Sequence, residues 1–360
     1  ILCKYFPNKL SEILEKSVYL EKRGPDKCIS IVKQDGIYIF RRLSINDTSS
    51  QGDQPMTSGD ILMMCNGEIY KNEQLREEYN LICKSKSDCE VILRLYEKIG
   101  FVEMIKKLDG VFAIILVDGD KTYLARDRIG VRPLFFGWTE ENFLSISSVP
   151  NVLDFCKDVV DFPVGTVFLH DKNIKKSFNI LYEDKILPSI LREYKENSLK
   201  TALINAVKKR LISDRPIGCL LSGGLDSSLV TAILVNLLGN ENVRTYSIGM
   251  KGSTDLYYAN KVAKYFNTKH TEVIFTPEDG FDIIPEVIET LGSYDITTIR
   301  ASVGMYLISK YISENTDDRV IFSGEGSDEI LCGYLYFHNA PTPDDAYNES
   351  VRLIQNLYLY

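Results

Sequence analysis

Ser222-Gly223-Gly224-Leu225-Asp226-Ser227-Ser228 stands between a short apolar run, residues 217–221, and an apolar-rich segment, residues 227–238. The order reads as strand, glycine loop, helix. In such a loop successive backbone N–H groups face one spot, and the helix N-terminus adds partial positive charge. Paired glycines let the chain approach an anion closely, and the serines add hydroxyl donors. Asp226 would repel a phosphate unless a divalent cation sat between them, so the loop implies Mg²⁺. The plain alternative is a turn whose Asp-Ser pair caps the helix. Glycine-rich turns are common, but a strand–SGGxDSS–helix succession is far narrower. No Gly-Lys-Ser/Thr follows, so this is not a Walker A loop.

Outward from the loop, strands and helices alternate. Residues 198–212 carry Leu199, Leu203, Val207 and Leu211 on one helical stripe. Residues 243–248 read as a strand, 256–266 as a helix and 320–322 as another strand. The alternation predicts a parallel sheet with helices on both faces, an α/β domain over residues 196–360. A second loop, Ser323-Gly324-Glu325-Gly326-Ser327-Asp328-Glu329, follows the strand at 320–322. Sites in parallel sheets gather at the C-terminal ends of strands, so both loops can share one crevice. Three acids among glycines suit a metal plus a general base.

Up to about residue 165 the pattern differs. Residues 28–32 and 37–40 read as strands around the turn Gln34-Asp35-Gly36, and residues 111–117 and 122–125 do the same around Asp118-Gly119. Val91, Ile92, Leu95 and Ile99 share one helical face, as do Leu10, Ile13, Leu14 and Val18. Strands with covering helices make residues 1–165 an α+β layered domain. Residues 166–195, charged and mixed, read as a junction.

The 360 residues carry a net charge of -8, which argues against a general nucleic-acid surface. Eight cysteines show no paired metal spacing and read as reduced thiols packed as small hydrophobes. No apolar run approaches a membrane span, and no signal peptide is evident. The chain starts at Ile1 rather than Met, and residues 349–360 read as a helix without a Gly or Asn cap, so pieces are expected beyond both ends.

The SGGLDSS loop resembles the pyrophosphate loop of ATP pyrophosphatase-type enzymes. Further segments resemble the glutamine-hydrolysing asparagine synthetase family in order and spacing. In the second half these are Tyr246-Ser247-Ile248-Gly249, Tyr294-Asp295-Ile296-Thr297-Thr298 and the SGEGSDE loop running on to Gly333-Tyr334. Upstream, Arg23-Gly24-Pro25-Asp26, Arg42-Leu43-Ser44-Ile45, Gln54-Pro55, Asn66-Gly67-Glu68, Ser87-Asp88 and Ala125-Arg126-Asp127 resemble its glutaminase domain. The likeness covers nearly the whole chain. It implies an Ntn-hydrolase-like αββα fold followed by an ATP pyrophosphatase-like fold, both in a cytoplasmic homodimer. The implied reaction releases ammonia from glutamine at an N-terminal cysteine and passes it through a tunnel. Aspartate attacks ATP to give β-aspartyl-AMP and pyrophosphate, and ammonia then displaces AMP.

Residue by residue, the resemblance implies glutamine binding by Arg42, Leu43, Ser44, Ile45, Asn46, Asn66, Gly67, Glu68 and Asp88. Arg42 would hold the α-carboxylate bidentately, while Glu68 and Asp88 would face the α-ammonium. Asn66 and nearby backbone would stabilise the oxyanion, a contribution of about 3 kcal/mol per donor. For ATP it implies Leu220, Ser222, Gly223, Gly224, Asp226, Ser227, Ser228, Ile248, Ser323 and Gly324, with Asp226 and Asp328 as Mg²⁺ ligands. Glu325 would position or deprotonate the ammonia nucleophile. The family's Cys-Gly-Ile start places the nucleophile before Ile1, with Cys3 an ordinary strand cysteine. Phe40, Ser148 and Gly292 depart from the family pattern at positions given no catalytic role. A β-lactam-synthetase-like enzyme and a non-catalytic relative are the alternatives. The surviving Arg42, Glu68 and Asp88 speak against the first, and the two intact loops against the second.

Overall fold

Along residues 61–69, Leu62 and Met64 point to one face and Met63 and Cys65 to the other, and all four are buried. A strand buried on both faces needs a layer on each side. A computed structural model shows those layers. It describes residues 2–4, 10–172, 176–181 and 197–357, with side chains for 10–172 and 197–357. The chain divides into two units, Ile1–Asp184 and Lys185–Tyr360.

The first unit runs β1 (Leu2–Lys4), α1 (Leu10–Lys16), β2 (Lys27–Lys33), β3 (Gly36–Arg42), β4 (Met56–Ser58) and β5 (Ile61–Ile69). Then come α2 (Asn72–Glu78), α3 (Glu90–Ile99), α4 (Phe101–Lys107), β6 (Gly110–Asp118) and β7 (Lys121–Arg126). It closes with β8 (Phe135–Trp138), β9 (Leu144–Ser147), β10 (Val160–Asp161), β11 (Thr166–Asp171) and β12 (Lys176–Leu181). Two antiparallel sheets result, ordered β10-β8-β9-β1-β3-β2 and β12-β11-β7-β6-β5-β4. Tyr38, Leu62, Met64, Ile115, Leu124 and Ile146 fill the space between them. On the outer face of the first sheet, Ile37 and Ile39 pack on Ile13 of α1 and on Val149 and Val152. On the outer face of the second, Met63, Cys65, Ile114 and Leu116 pack on Val91, Ile92 and Leu95 of α3 and Phe101 of α4. The layer order is therefore α-β-β-α, as the fold expectation held.

One boundary is corrected. Residues 166–171 and 176–181, expected in the junction, form β11 and β12, and β11 joins the second sheet beside β7 with Val167 opposite Ala125. Val167 and Phe168 are buried on opposite faces of that sheet, which ties the segment to the first unit. The rest of the expected junction, 182–195, lies outside the described residues.

The second unit contains α5 (Ser198–Lys209), β13 (Ile217–Leu220), α6 (Leu225–Leu238), β14 (Arg244–Gly249), α7 (Thr254–Phe266) and β15 (Lys269–Ile274). It continues with α8 (Pro277–Asp282), α9 (Ile284–Leu291), α10 (Ile296–Asn315), β16 (Val320–Phe322), α11 (Ser327–Leu331) and α12 (Pro343–Gln355). The sheet order is β15-β14-β13-β16, all parallel. Cys219 and Leu221 face α5, α6 and α7, whereas Leu220 and Tyr246 face Ile308 and Ile312 of α10. Chain order reverses between β13 and β16, so the crevice at their C-terminal ends is the topological switch point where such sheets bind ligands. The helix expected at 349–360 instead starts at Pro343, where the Thr342 side chain accepts from the Asp345 N–H, and ends at Gln355. Among the described residues no helix is long and apolar enough to cross a membrane.

Candidate active sites

The two glycine loops meet at the switch point. A cavity of about 370 Å³ is lined by Leu220, Ser222, Gly224, Asp226, Ser227, Ile248, Ser323, Gly324, Glu325 and Asp328. Close approach requires glycine here. A Cβ on Gly324 would lie 2.9 Å from the Ser227 nitrogen and 3.0 Å from Asp226 Cβ. Gly223 has φ +83°, and a Cβ there would lie 2.5 Å from the Ala259 nitrogen of α7. The loop is braced internally: Ser222 Oγ and Ser227 Oγ are 3.0 Å apart, and the Ser227 hydroxyl donates to the Gly224 carbonyl at 3.3 Å. Ser228 Oγ, in the first turn of α6, is buried with no hydrogen-bond partner among the described residues, and Ser228 does not line this cavity. Burial and the negative neighbours Asp226 and Glu329 push the Asp328 carboxyl up. Glu325 stands exposed in the lining, its backbone N–H 3.5 Å from Ser323 Oγ. The lining also holds Glu329, the third acid of the second loop, together with Asp255, Met305 and Tyr334, to which the sequence reading gave no site role. Tyr334 hydrogen-bonds Glu329 through its hydroxyl.

In the first unit the expected glutamine residues form a connected track. Arg42 is buried and donates from Nη1 to the Ser49 carbonyl at 2.8 Å and Asp53 Oδ1 at 2.7 Å. Its Nη2 donates to the Asn46 carbonyl at 3.3 Å and to the Asp47 carbonyl. All four Nη hydrogens thus hold the 46–53 loop, and a bidentate carboxylate clamp requires exchanging some of these acceptors. The Asp47 carboxylate accepts the Lys86 N–H at 2.8 Å, which ties this loop to the segment ending at Asp88. Asp88 accepts the Ile69 N–H at 2.7 Å and lies beside Glu68, itself 3.4 Å from Arg132. Gly67 is required by crowding, since a Cβ there would lie 2.3 Å from the Val111 carbonyl oxygen. The Ser44 N–H donates to Asp26 at 2.8 Å, and Leu43 and Ile45 are half-buried on either side. Asn66 alone of the expected residues lines a cavity of about 80 Å³ between the sheets, with Arg23, Arg41, Met64 and Ser147. Arg126 and Asp127, quoted for their likeness, are structural. Arg126 holds the Phe162 and Arg132 carbonyls, and Asp127 accepts N–H groups of the turn at 129–132.

Asp88 carries a testable cost. Burial, then the Glu68 charge, raises its carboxyl from 3.8 to about 6, against the lowering effect of the Ile69 N–H. The folded state therefore binds the extra proton between those values, and stability falls as pH rises through that window. Above it the penalty approaches about 3 kcal/mol. Asp88→Asn should raise the thermal midpoint of unfolding at about pH 7.5, with the advantage shrinking towards about pH 4.5. A constant difference between the two pH values would show that ionised Asp88 costs nothing.

The expectation of cysteines packed as small hydrophobes holds for some of the described ones and not for Cys28 and Cys332, which are exposed. Cys65, Cys89 and Cys219 are buried, and none of the described cysteines is in a disulfide. The side chain of Cys3 lies outside the described residues.

An αββα unit with half-buried Glu68 beside buried Asp88, preceding a parallel sheet with two glycine loops at its switch point, defines a class: an amidotransferase-like fold followed by an α/β domain. The chain belongs to the glutamine amidotransferase domain family, whose model matches residues 4–201, and the asparagine synthase family model matches residues 198–359. It is similar to the glutamine-hydrolyzing asparagine synthetase of Homo sapiens, at 44% identity over 89% of this chain and 63% of the relative. That of Gallus gallus is 42% identical over the same shares. The chain thus spans 63% of the length of these relatives. A solved structure of the allosteric regulatory enzyme of purine biosynthesis aligns with a TM-score of 0.45 and 13% identity, covering 89% of each chain.

Proposed function

We propose that this chain carries both sites of a glutamine-dependent asparagine synthetase, converting aspartate to asparagine with ATP. The observation that carries this reading is the convergence of the SGGLDSS and SGEGSDE loops on one cavity at the β13/β16 switch point. Ser222, Gly223, Gly224, Ser227 and Ser228 would hold the pyrophosphate portion, with Leu220 and Ile248 against the rest of the nucleotide. Ser323 and Gly324 close the far side.

Asp226 and Asp328 fit Mg²⁺ in a limited way. The two carboxylates are close enough for one charge to raise the other's pKa, an arrangement a cation relieves. Among the described residues no group of three or more His, Cys, Asp or Glu could hold a metal. Magnesium commonly takes one or two carboxylates and completes its shell with phosphate and water. When bound, it would neutralise phosphate charge.

In the first unit, Glu68 and buried Asp88 form a negative site suited to the glutamine α-ammonium, which would offset the cost of ionising Asp88. Arg42 serves the α-carboxylate and shapes the loop that carries Asn46, while Asn66 and Gly67 face the developing oxyanion. Glu325, exposed in the nucleotide cavity, would position ammonia for attack. We also infer a cytoplasmic homodimer, with glutamine and aspartate as its small-molecule partners.

The test is asparagine formation by the full-length protein, supplied in turn with glutamine and with an ammonium salt. Glu325→Ala should stop synthesis from both nitrogen sources and leave glutamine hydrolysis within about twofold. Unchanged ammonium-dependent synthesis in that variant would remove Glu325 from the chemistry.

A further inference from the structure

Behind the nucleotide cavity runs a hydroxyl–imidazole chain that the chemistry above does not use. Thr245 and Ser247 stand two residues apart on β14 and so share one face. His270, opposite Thr245 on the edge strand β15, lies between them. Its Nδ1 is 2.9 Å from Thr245 Oγ1, and its Nε2 is 3.1 Å from Ser247 Oγ. Thr268 Oγ1 extends the chain, 2.9 Å from Thr245 Oγ1. Thr245 and Ser247 are buried and the ring is half-buried. Burial holds the imidazole pKa below its usual value, against the opposite pull of Glu272, so the ring is neutral at physiological pH. A neutral imidazole has one donor and one acceptor, and each hydroxyl can complement either. The far end of this chain, Ser247, lines the cavity beside Ile248.

We infer that His270 is a positioning residue for the nucleotide pocket, holding the Ser247 side chain through Nε2. The inference rests on reading the cavity as an ATP site. Without that contact the buried Ser247 hydroxyl would turn to the main-chain groups around Ile248, the groups offered to the nucleotide. The two ring nitrogens separate this role from a purely structural one. A Gln side chain reaches the Nε2 position and can keep the Ser247 contact, whereas Asn reaches only the Nδ1 position and keeps the Thr245 contact.

The experiment titrates Mg-ATP into the purified chain by calorimetry, alongside thermal unfolding. H270N and S247A should each weaken ATP binding about fivefold, and H270Q should stay within about twofold of the parent. H270N combined with S247A should bind no more weakly than either alone, because one contact is being removed twice. Equal losses in H270N and H270Q, or affinity loss that merely tracks the melting temperature, would overturn the inference. If H270Q fails to fold, the H270N and S247A cycle decides, and additive losses count against the proposal. A parent chain that binds no ATP overturns the cavity reading itself, an outcome distinct from any ordering of the variants.

Discussion

Arg42→Ala should abolish glutamine-driven asparagine formation, leave ammonium-driven synthesis within about twofold, and destabilise the first unit by about 3 kcal/mol. The stability loss follows from what the guanidinium holds. Its Nη atoms donate to Asp53 and to the carbonyls of Asn46, Asp47 and Ser49 in a buried setting. Truncation removes the guanidinium from these acceptors, although the Ser49 carbonyl keeps the Gly52 N–H, and among the described residues leaves Asp53 paired with Lys27 alone. Unpaired buried polar groups are expensive. The functional split follows because the described residues lining the cavity proposed for the nucleotide all belong to the second unit, where added ammonium would enter without the first site. Arg42→Lys keeps the charge but cannot fill four directed contacts, so it should recover stability only in part. Parallel assays with the two nitrogen sources, together with calorimetric unfolding, check this. Equal loss of both synthetic activities would make Arg42 a global fold residue and end the two-site reading.

Asp226→Asn should lower pyrophosphate release from ATP by about 100-fold or more while leaving unfolding nearly unchanged. The side chain lines the cavity and sits in the first turn of α6, where an amide is sterically equivalent. What it loses is charge, and with it one ligand for the ion that would neutralise the phosphates. The same change removes a negative neighbour from Asp328, whose carboxyl should drop back towards the ordinary range. Carbon-13 NMR of labelled aspartates reads that drop, and a pyrophosphate-coupled assay reads turnover. A fully active variant, or an Asp328 carboxyl that does not move, would show that the two acids do not share a site.

The second site was largely legible because its signal is local. A strand, a glycine pair and a helix start within a dozen or so residues announce an anion loop, and parallel-sheet topology brings Gly324 against Asp226. Less legible was whatever depends on distant partners. The edge strand β15 has only exposed and half-buried residues, Lys269, His270 and Glu272 among them, so no long apolar run marks it in the sequence. β11 was hidden by its charged flanks. Arg42 reads as a free clamp in sequence because three of its four acceptors are backbone carbonyls, which leave no mark in residue identity, and the fourth, Asp53, is eleven residues away. The raised Asp88 carboxyl needs the fold to bury it beside Glu68. Asp255 and Tyr334 join the cavity only through the packing of α7 and of the segment after α11.

The most direct test of the central claim follows oxygen. Full-length protein would be given ATP, an ammonium salt and aspartate labelled with oxygen-18 in its β-carboxylate, and the products examined by mass spectrometry. Attack of that carboxylate on the α-phosphorus, followed by displacement of AMP by ammonia, transfers one labelled oxygen to AMP and leaves pyrophosphate unlabelled. Label in AMP, with one asparagine formed per pyrophosphate, is the predicted result. Label in inorganic phosphate with ADP as product, or no transfer alongside ATP cleavage, would contradict the account.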